Sequence, residues 1–343
     1  MIRLTLRQFR TEAAVAFGLL TALAVVLALT GPHLAQVNEA FQATCATTGN
    51  CSSAANPVFE VDRGLQALVP IIAIITPAVI GMFFGTPILA RELETGTFRV
   101  AWTQSITRRR WLAVRLALLG LAAVTLAALL AWIVDWWDGP LDAASQSTFD
   151  PVNFSVHGFV AIGYAAFAFA LGVAAGALLR RTVAAMGATL VGFAVSRIAV
   201  TSWVRPNLAS PLHELLPFLT ARPGFSLDAS AGTLSLTPPL VHIPNAWIFS
   251  TSVVNPSGRA LTGEYVLHAC PGLHQMASAG PAANPLVALR TCQDKLSATF
   301  HTLVTYQPAS RFWPFQWAEL GIFLAAALAL CGLTFWWLRH RLA

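Results

Sequence analysis

Apolar residues gather in long runs separated by short polar stretches. Six runs are long enough to cross a bilayer: Ala13–Thr30, Leu65–Leu89, Leu112–Trp136, Phe159–Leu179, Ala184–Val204 and Phe315–Leu338. A spanning helix needs about 20 mostly apolar residues, so the pattern predicts an all-α integral membrane fold with six transmembrane helices. Arg3, Arg7 and Arg10 precede the first run as they would in a secretory signal, but five further runs follow, and an uncleaved first anchor is expected. Within residues 2–12, Ile2, Leu6 and Phe9 share one stripe and the three arginines share the next. That is the pattern of a helix lying in the membrane surface, or of a plain positive flank to the first span. The second run is the least regular, with Pro70 in its first turn, Pro77 in its interior, and Gly81, Gly85 and Pro87 near its end. An interior proline removes a backbone hydrogen bond and kinks a helix, so the kink is expected at Pro77, Gly81 and Gly85. The spacing Gly81…Gly85, repeated as Gly172…Gly176 in the fourth run, permits close helix approach and by itself is weak evidence for a dimer face.

Between the runs lie two longer polar segments. Residues 31–64 are rich in small polar side chains, and residues 205–312 carry proline and glycine punctuation with short strand-like stretches around "TLSLTPPLVHIPNAWIFS" and Phe300–Tyr306. The expected division is residues 1–204 for the N-terminal helix and spans one to five, 205–312 for a small mixed extracellular region, and 313–343 for span six and a cytoplasmic tail.

Composition sharpens this picture. Hydrophobic residues make up 56% of the 343 and charged residues only 10%, whereas soluble domains run at about 25% charged. The net charge of +6 rests almost wholly on arginine, Lys295 being the only lysine, and its distribution follows the membrane rather than a nucleic acid. With an inside N-terminus, the inside segments hold 13 cationic side chains and the much longer outside segments hold seven. That bias places both termini in the cytoplasm of a multi-pass cell-membrane protein. Cys45, Cys51, Cys270 and Cys292 then fall outside, where disulfides persist. Three pairings are open, and Cys45–Cys51 with Cys270–Cys292 is favoured because each closes a loop within one segment. Cys331 stands alone in span six.

Few motifs that carry chemistry are present. A phosphate loop ends in Gly-Lys-Ser/Thr, but the single lysine sits in "QDKLSA". No ATP-binding motif is present, and the chain is not expected to be an enzyme. "HACPGLH" brings His268, Cys270 and His274 together, but Cys270 has an expected disulfide partner and a fourth ligand is missing, so no metal site is expected. Asp135 and Asp138 flank the tryptophans of "WIVDWWDGP", an interfacial position. Arg197 is the one clear charge within a span, contacting a substrate or, the preferred reading, pairing with Asp135.

Residues 90–111, "ARELETGTFRVAWTQSITRRRW", concentrate seven charged side chains between two apolar runs. Glu92 and Glu94 end span two and Arg108, Arg109 and Arg110 begin span three, with Thr107 a candidate N-cap. Both sets oppose the helix dipoles. Orientation explains the arginines. It does not explain the glutamates, which are left to ion pairing with nearby arginines or to recognition of a partner.

The stretch "GMFFGTPILARELETGTFRVAWTQSITRRRWLAVRL" resembles the signature region of the ABC-2 transporter permeases of actinobacterial type. Further matching landmarks are "RQFR", "RRT", "WVRP" and "YQPASRFWPFQ". The resemblance implies a six-span permease, present as two copies or as a pair of paralogues in the lipid bilayer, docked to separate ABC ATPase subunits that hold ATP and magnesium; this chain itself would carry no cofactor. It implies further that the segment between spans two and three meets the ATPase, which makes Glu92, Glu94, Gly96 and Thr97, then Thr103, Gln104, Ser105, Arg108, Arg110 and Trp111, the expected coupling residues. An exporter is the leading expectation. The alternatives are an energy-independent sensor or regulatory subunit with an extracellular ligand-binding region, and an ion-coupled secondary transporter, for which midplane acids are lacking.

Overall fold

The computed structural model describes residues 9–48, 56–95, 108–218, 224–228, 233–270, 272 and 285–341. The chain divides into two compact units, residues 1–208 with 310–343, and residues 209–309.

The first unit is helical and contains six helices long and apolar enough to cross a membrane. In chain order they are built from α1 (Arg10–Thr48), α2 (Arg63–Ile80) continued by a π-helical turn (Gly81–Gly85) and α3 (Pro87–Thr95), α4 (Arg108–Ser145), α6 (Val160–Leu179), α7 (Thr182–Ala199) and α10 (Phe312–Arg341), with a short α5 (Pro151–Val156) before α6. Helix α6 is the hub. Most of its residues are buried, and α10, α7, α4, α3 and the π turn all pack on it. It tolerates so many neighbours because its buried positions are mainly alanine and glycine, which let backbones approach closely. Large apolar side chains such as Leu19, Leu29, Val191 and Leu328 stay exposed on outer helix faces, as a lipid-facing surface requires.

Two helices run well past their sequence-based ends. α1 continues through Gly31 and Pro32 to Thr48, where a loop over 31–64 is expected, and α4 continues through Pro140 to Ser145 rather than stopping at Trp136. Tertiary packing overrides the breakers. Leu27 and Leu34 of α1 share a core with Val134, Trp137, Leu141 and Ala144 of α4, and the Trp137 indole donates to Thr30 Oγ1 at 2.9 Å. The expected surface helix over 2–12 lies mostly outside the described residues, as does Thr107.

The second unit contains β1 (Leu212–Pro217), β2 (Gly224–Asp228), β3 (Thr233–Thr237), β4 (Trp247–Val254), α8 (Gly263–Ala269), α9 (Pro285–Ser297) and β5 (His301–Gln307). β5 is the middle strand of an antiparallel sheet ordered β1-β5-β4, and β2 and β3 form a separate hairpin. In β5, Thr302 and Val304 are buried between more open neighbours, the period-two pattern of a strand with one covered face. The core joins Phe218, Val266, Leu296 and Phe300 with the Cys270–Cys292 disulfide, which links the end of α8 to α9. Neither helix is legible in the turn-rich sequence. Cys45 is disulfide-bonded; Cys51, its expected partner, lies outside the described residues.

Candidate functional site

The charged segment is anchored at its start by three spans. Span two approaches it through the glycine seam. An added Cβ at Gly81 would lie 2.5 Å from the Ala168 carbonyl oxygen, and one at Gly85 would lie 2.4 Å from that of Phe169. Reciprocally, a Cβ at Gly172 would lie 2.2 Å from the Gly81 oxygen, and one at Gly176 2.8 Å from that of Thr86. The two small-residue stripes therefore face each other inside one chain, and this use replaces the dimer-face reading. At the seam the backbone widens by one residue. Thr86 N–H donates to the Gly81 carbonyl at 3.1 Å, the π bond that gives this turn its geometry. The seam ends in a small cluster of Ala90, Ala175 and Ala185.

One turn further on, both glutamates have partners within the chain. Glu92 forms an ion pair with Arg115 of α4, whose side chain is only 5% exposed. Glu94 Oε2 accepts from both the backbone N–H and the hydroxyl of Thr182, at 3.0 and 2.7 Å. Thr182 opens α7, so Glu94 places a negative charge at the positive end of that helix. A carboxylate that opposes its own helix dipole is thus matched to another. Of the expected coupling residues, Gly96, Thr97, Thr103, Gln104 and Ser105 lie outside the described residues. Arg108, Arg110 and Trp111 fall in the first turn of α4, and Arg110 is exposed.

A second polar cluster lies inside the bundle. Arg205 and Glu319 are both fully buried and pair through two bonds, from Nε to Oε2 at 2.8 Å and from Nη2 to Oε1 at 3.0 Å. Arg205 also donates to the Pro151 carbonyl and to Ser155 Oγ, and the Tyr164 hydroxyl donates to Glu319 Oε1. Arg197 lies 3.7 Å from Glu319 Oε1, with its guanidinium over the Tyr164 ring. This corrects two expectations. Arg197 faces Glu319 rather than Asp135, and it is not the only charge within a span. The signal for Glu319 in the sequence is an acid inside the sixth apolar run.

Asp135 instead holds His157, with Oδ1 at 2.9 Å from Nδ1. Burial alone would lower the His157 pKa, but the hydrogen-bonding and charge of the carboxylates around it outweigh that and raise it to about 10. In the second unit Cys270 is used by its disulfide, and His274 lies outside the described residues, so no cluster at "HACPGLH" is described.

A family model described as ABC-2 membrane transporter related matches residues 17–205. No curated protein and no solved structure matches the chain. The matched residues run from the first span through the glycine seam, the charged segment and Arg115 to Arg205 of the buried ion cluster. With more than half its length so matched and six membrane-spanning helices, the chain belongs to the ABC-2 membrane transporter related family and is a multi-pass permease subunit of an ABC transporter.

Proposed function

We propose that the chain is the permease subunit of an ATP-driven exporter, with both termini and residues 90–111 on the cytoplasmic side, where a separate ABC ATPase docks. Two copies, or this chain and a paralogue, complete the transporter. ATP-driven closure of the ATPase pair displaces the segment and rocks the spans between inward- and outward-facing states.

The observation that carries this reading is the double tether at the segment's start. Glu92 fastens it to α4 and Glu94 fastens it to α7, while the glycine seam fixes it to α6. A push on residues 96–107 is thereby passed to spans two, three, four and five as one body. In this arrangement the glutamates are struts that transmit the motion, and the partner-facing surface is the segment beyond them.

Two substitutions separate strut from fold. Glu92→Gln breaks the ion pair with Arg115, and removing one partner of a buried pair costs up to about 3–5 kcal/mol; thermal unfolding of the variant in detergent shifts down accordingly. Replacing both residues with leucine recovers most of that loss. Glu94→Ala removes an exposed contact and leaves insertion and unfolding close to wild type. In proteoliposomes holding the complex with its ATPase, Glu94→Ala is expected to lower dye or lipid-analogue export per ATP hydrolysed several-fold. Unchanged export per ATP would remove Glu94 from the coupling path.

A further inference from the structure

We infer that Asp138, Asp142 and His157 form a binding site for one divalent transition-metal cation of the zinc class. The inference goes beyond the permease reading and does not depend on it. The continuation of α4 past Trp136 puts Asp135, Asp138 and Asp142 three and four residues apart on a single helix face. His157, at the end of α5, points its ring into that face and is only 5% exposed.

The imidazole is held in one orientation. Asp135 Oδ1 lies 2.9 Å from Nδ1, and the same carboxylate accepts the Gly158 N–H at 3.2 and 3.1 Å. An ionised carboxylate is only an acceptor, so Nδ1 carries a hydrogen in either protonation state, and Nε2 is the ring atom that a proton or a metal ion can occupy. Nε2 lies 3.1 Å from Asp138 Oδ2 and 3.3 Å from Asp142 Oδ2, yet this buried atom makes no aligned hydrogen bond with either. Once a metal ion displaces the Nε2 proton, three electron-pair donors converge on one point. Three carboxylates surround a single imidazole, so the cluster stays net negative even when the ring is protonated.

A cation resolves this arrangement. Zinc bonds of about 2.0–2.1 Å in a tetrahedron set neighbouring ligand atoms roughly 3.3 Å apart, close to the two Nε2 distances, and all three ligand atoms lie within 4.8 Å of one another. A carboxylate on the far ring nitrogen is the usual partner of a metal-binding histidine, which makes Asp135 the positioning residue. Imidazole among the donors favours zinc-like ions over calcium or magnesium. The frame is rigid. Buried Gln316 donates to the Phe154 and His157 carbonyls at 2.9 and 3.0 Å and accepts from Val160 N–H, and Gly158 turns the chain at a φ of 73°. Asp138 and Asp142 are 17% and 21% exposed, which leaves a side open for water as a further ligand.

The test is a titration of the full chain, purified in detergent and stripped with a chelator, with Zn²⁺ alone and with Co²⁺ alone. One equivalent of Zn²⁺ is expected to bind and to raise the unfolding temperature. Co²⁺ is expected to give the visible bands of a low-coordinate nitrogen and oxygen site. Asp138→Asn with Asp142→Asn is expected to abolish both signals, with helicity by circular dichroism unchanged. Asp135→Asn is expected to weaken Zn²⁺ binding about 10–100-fold, and Glu39→Gln, on an exposed face of α1, to leave it unaltered. A wild-type chain that binds no Zn²⁺, as it would if a proton alone occupied Nε2, overturns the inference. Equal binding by the double variant does so too.

Discussion

Gly172→Ala is expected to remove the folded protein from the membrane, whereas Gly187→Ala leaves it intact. Both glycines lie inside transmembrane helices, and their surroundings decide the outcome. A methyl group on Gly172 would sit 2.2 Å from the Gly81 carbonyl oxygen and 3.0 Å from the Thr86 nitrogen. Both obstacles are backbone, so no side chain can swing away, and α6 must part from the π turn. Overpacking a core costs about 1–3 kcal/mol even where side chains can adjust, and here they cannot. Nothing lies within 4 Å of a methyl group on Gly187, where alanine gains up to about 1 kcal/mol of helix propensity. Size-exclusion profiles of the detergent-solubilised variants, before and after heating, separate the cases. A Gly172→Ala profile matching that of Gly187→Ala would mean that the seam is not closely packed.

Glu319→Gln is the second large loss. Among the described residues, it withdraws the only carboxylate from a cluster that includes Arg197 and fully buried Arg205. The amide still accepts one hydrogen bond but no longer balances charge. An uncompensated buried cation costs about 3–5 kcal/mol, enough to consume much of a typical folding free energy of about 5–15 kcal/mol. The expected phenotype is loss of the folded peak at the growth temperature. Tyr164→Phe, which deletes one hydrogen bond to the same carboxylate, is expected to cost only about 1–3 kcal/mol. A Glu319→Gln variant as stable as Tyr164→Phe would show that the arginines find other partners.

The six spans were legible in the sequence because twenty apolar residues have few other soluble fates. Their ends were not. Pro32 and Pro140 look like terminators, but whether a helix survives a proline depends on what packs beyond it, and Leu34 against Trp137 and Leu141 is visible only in three dimensions. The charged segment was legible as unusual, and the glutamates as unexplained by topology. Their partners were not, because Arg115 and Thr182 come from other helices, and nothing in the local sequence selects Arg115 over the nearer arginines. Arg197 and Asp135 both stand near the outer ends of their runs, which makes them partners by sequence position alone. The structure instead gives Asp135 to His157 and Arg197 to Glu319, an acid of the sixth run whose partners come from other elements. The family resemblance carried what the residues alone did not, namely a role for residues 90–111 as a group.

The central claim is that residues 96–107 face an ATPase while Glu92 and Glu94 relay its movement. The direct measurement places a photoreactive amino acid at Gln104, irradiates native membranes, isolates the chain and identifies the cross-linked protein by mass spectrometry. The account predicts a Walker-motif ATPase, cross-linked at Gln104 and absent when the probe stands instead at exposed Leu328 on α10. A chain that yields no ATPase cross-link at Gln104, and purifies alone after mild solubilisation, would contradict it.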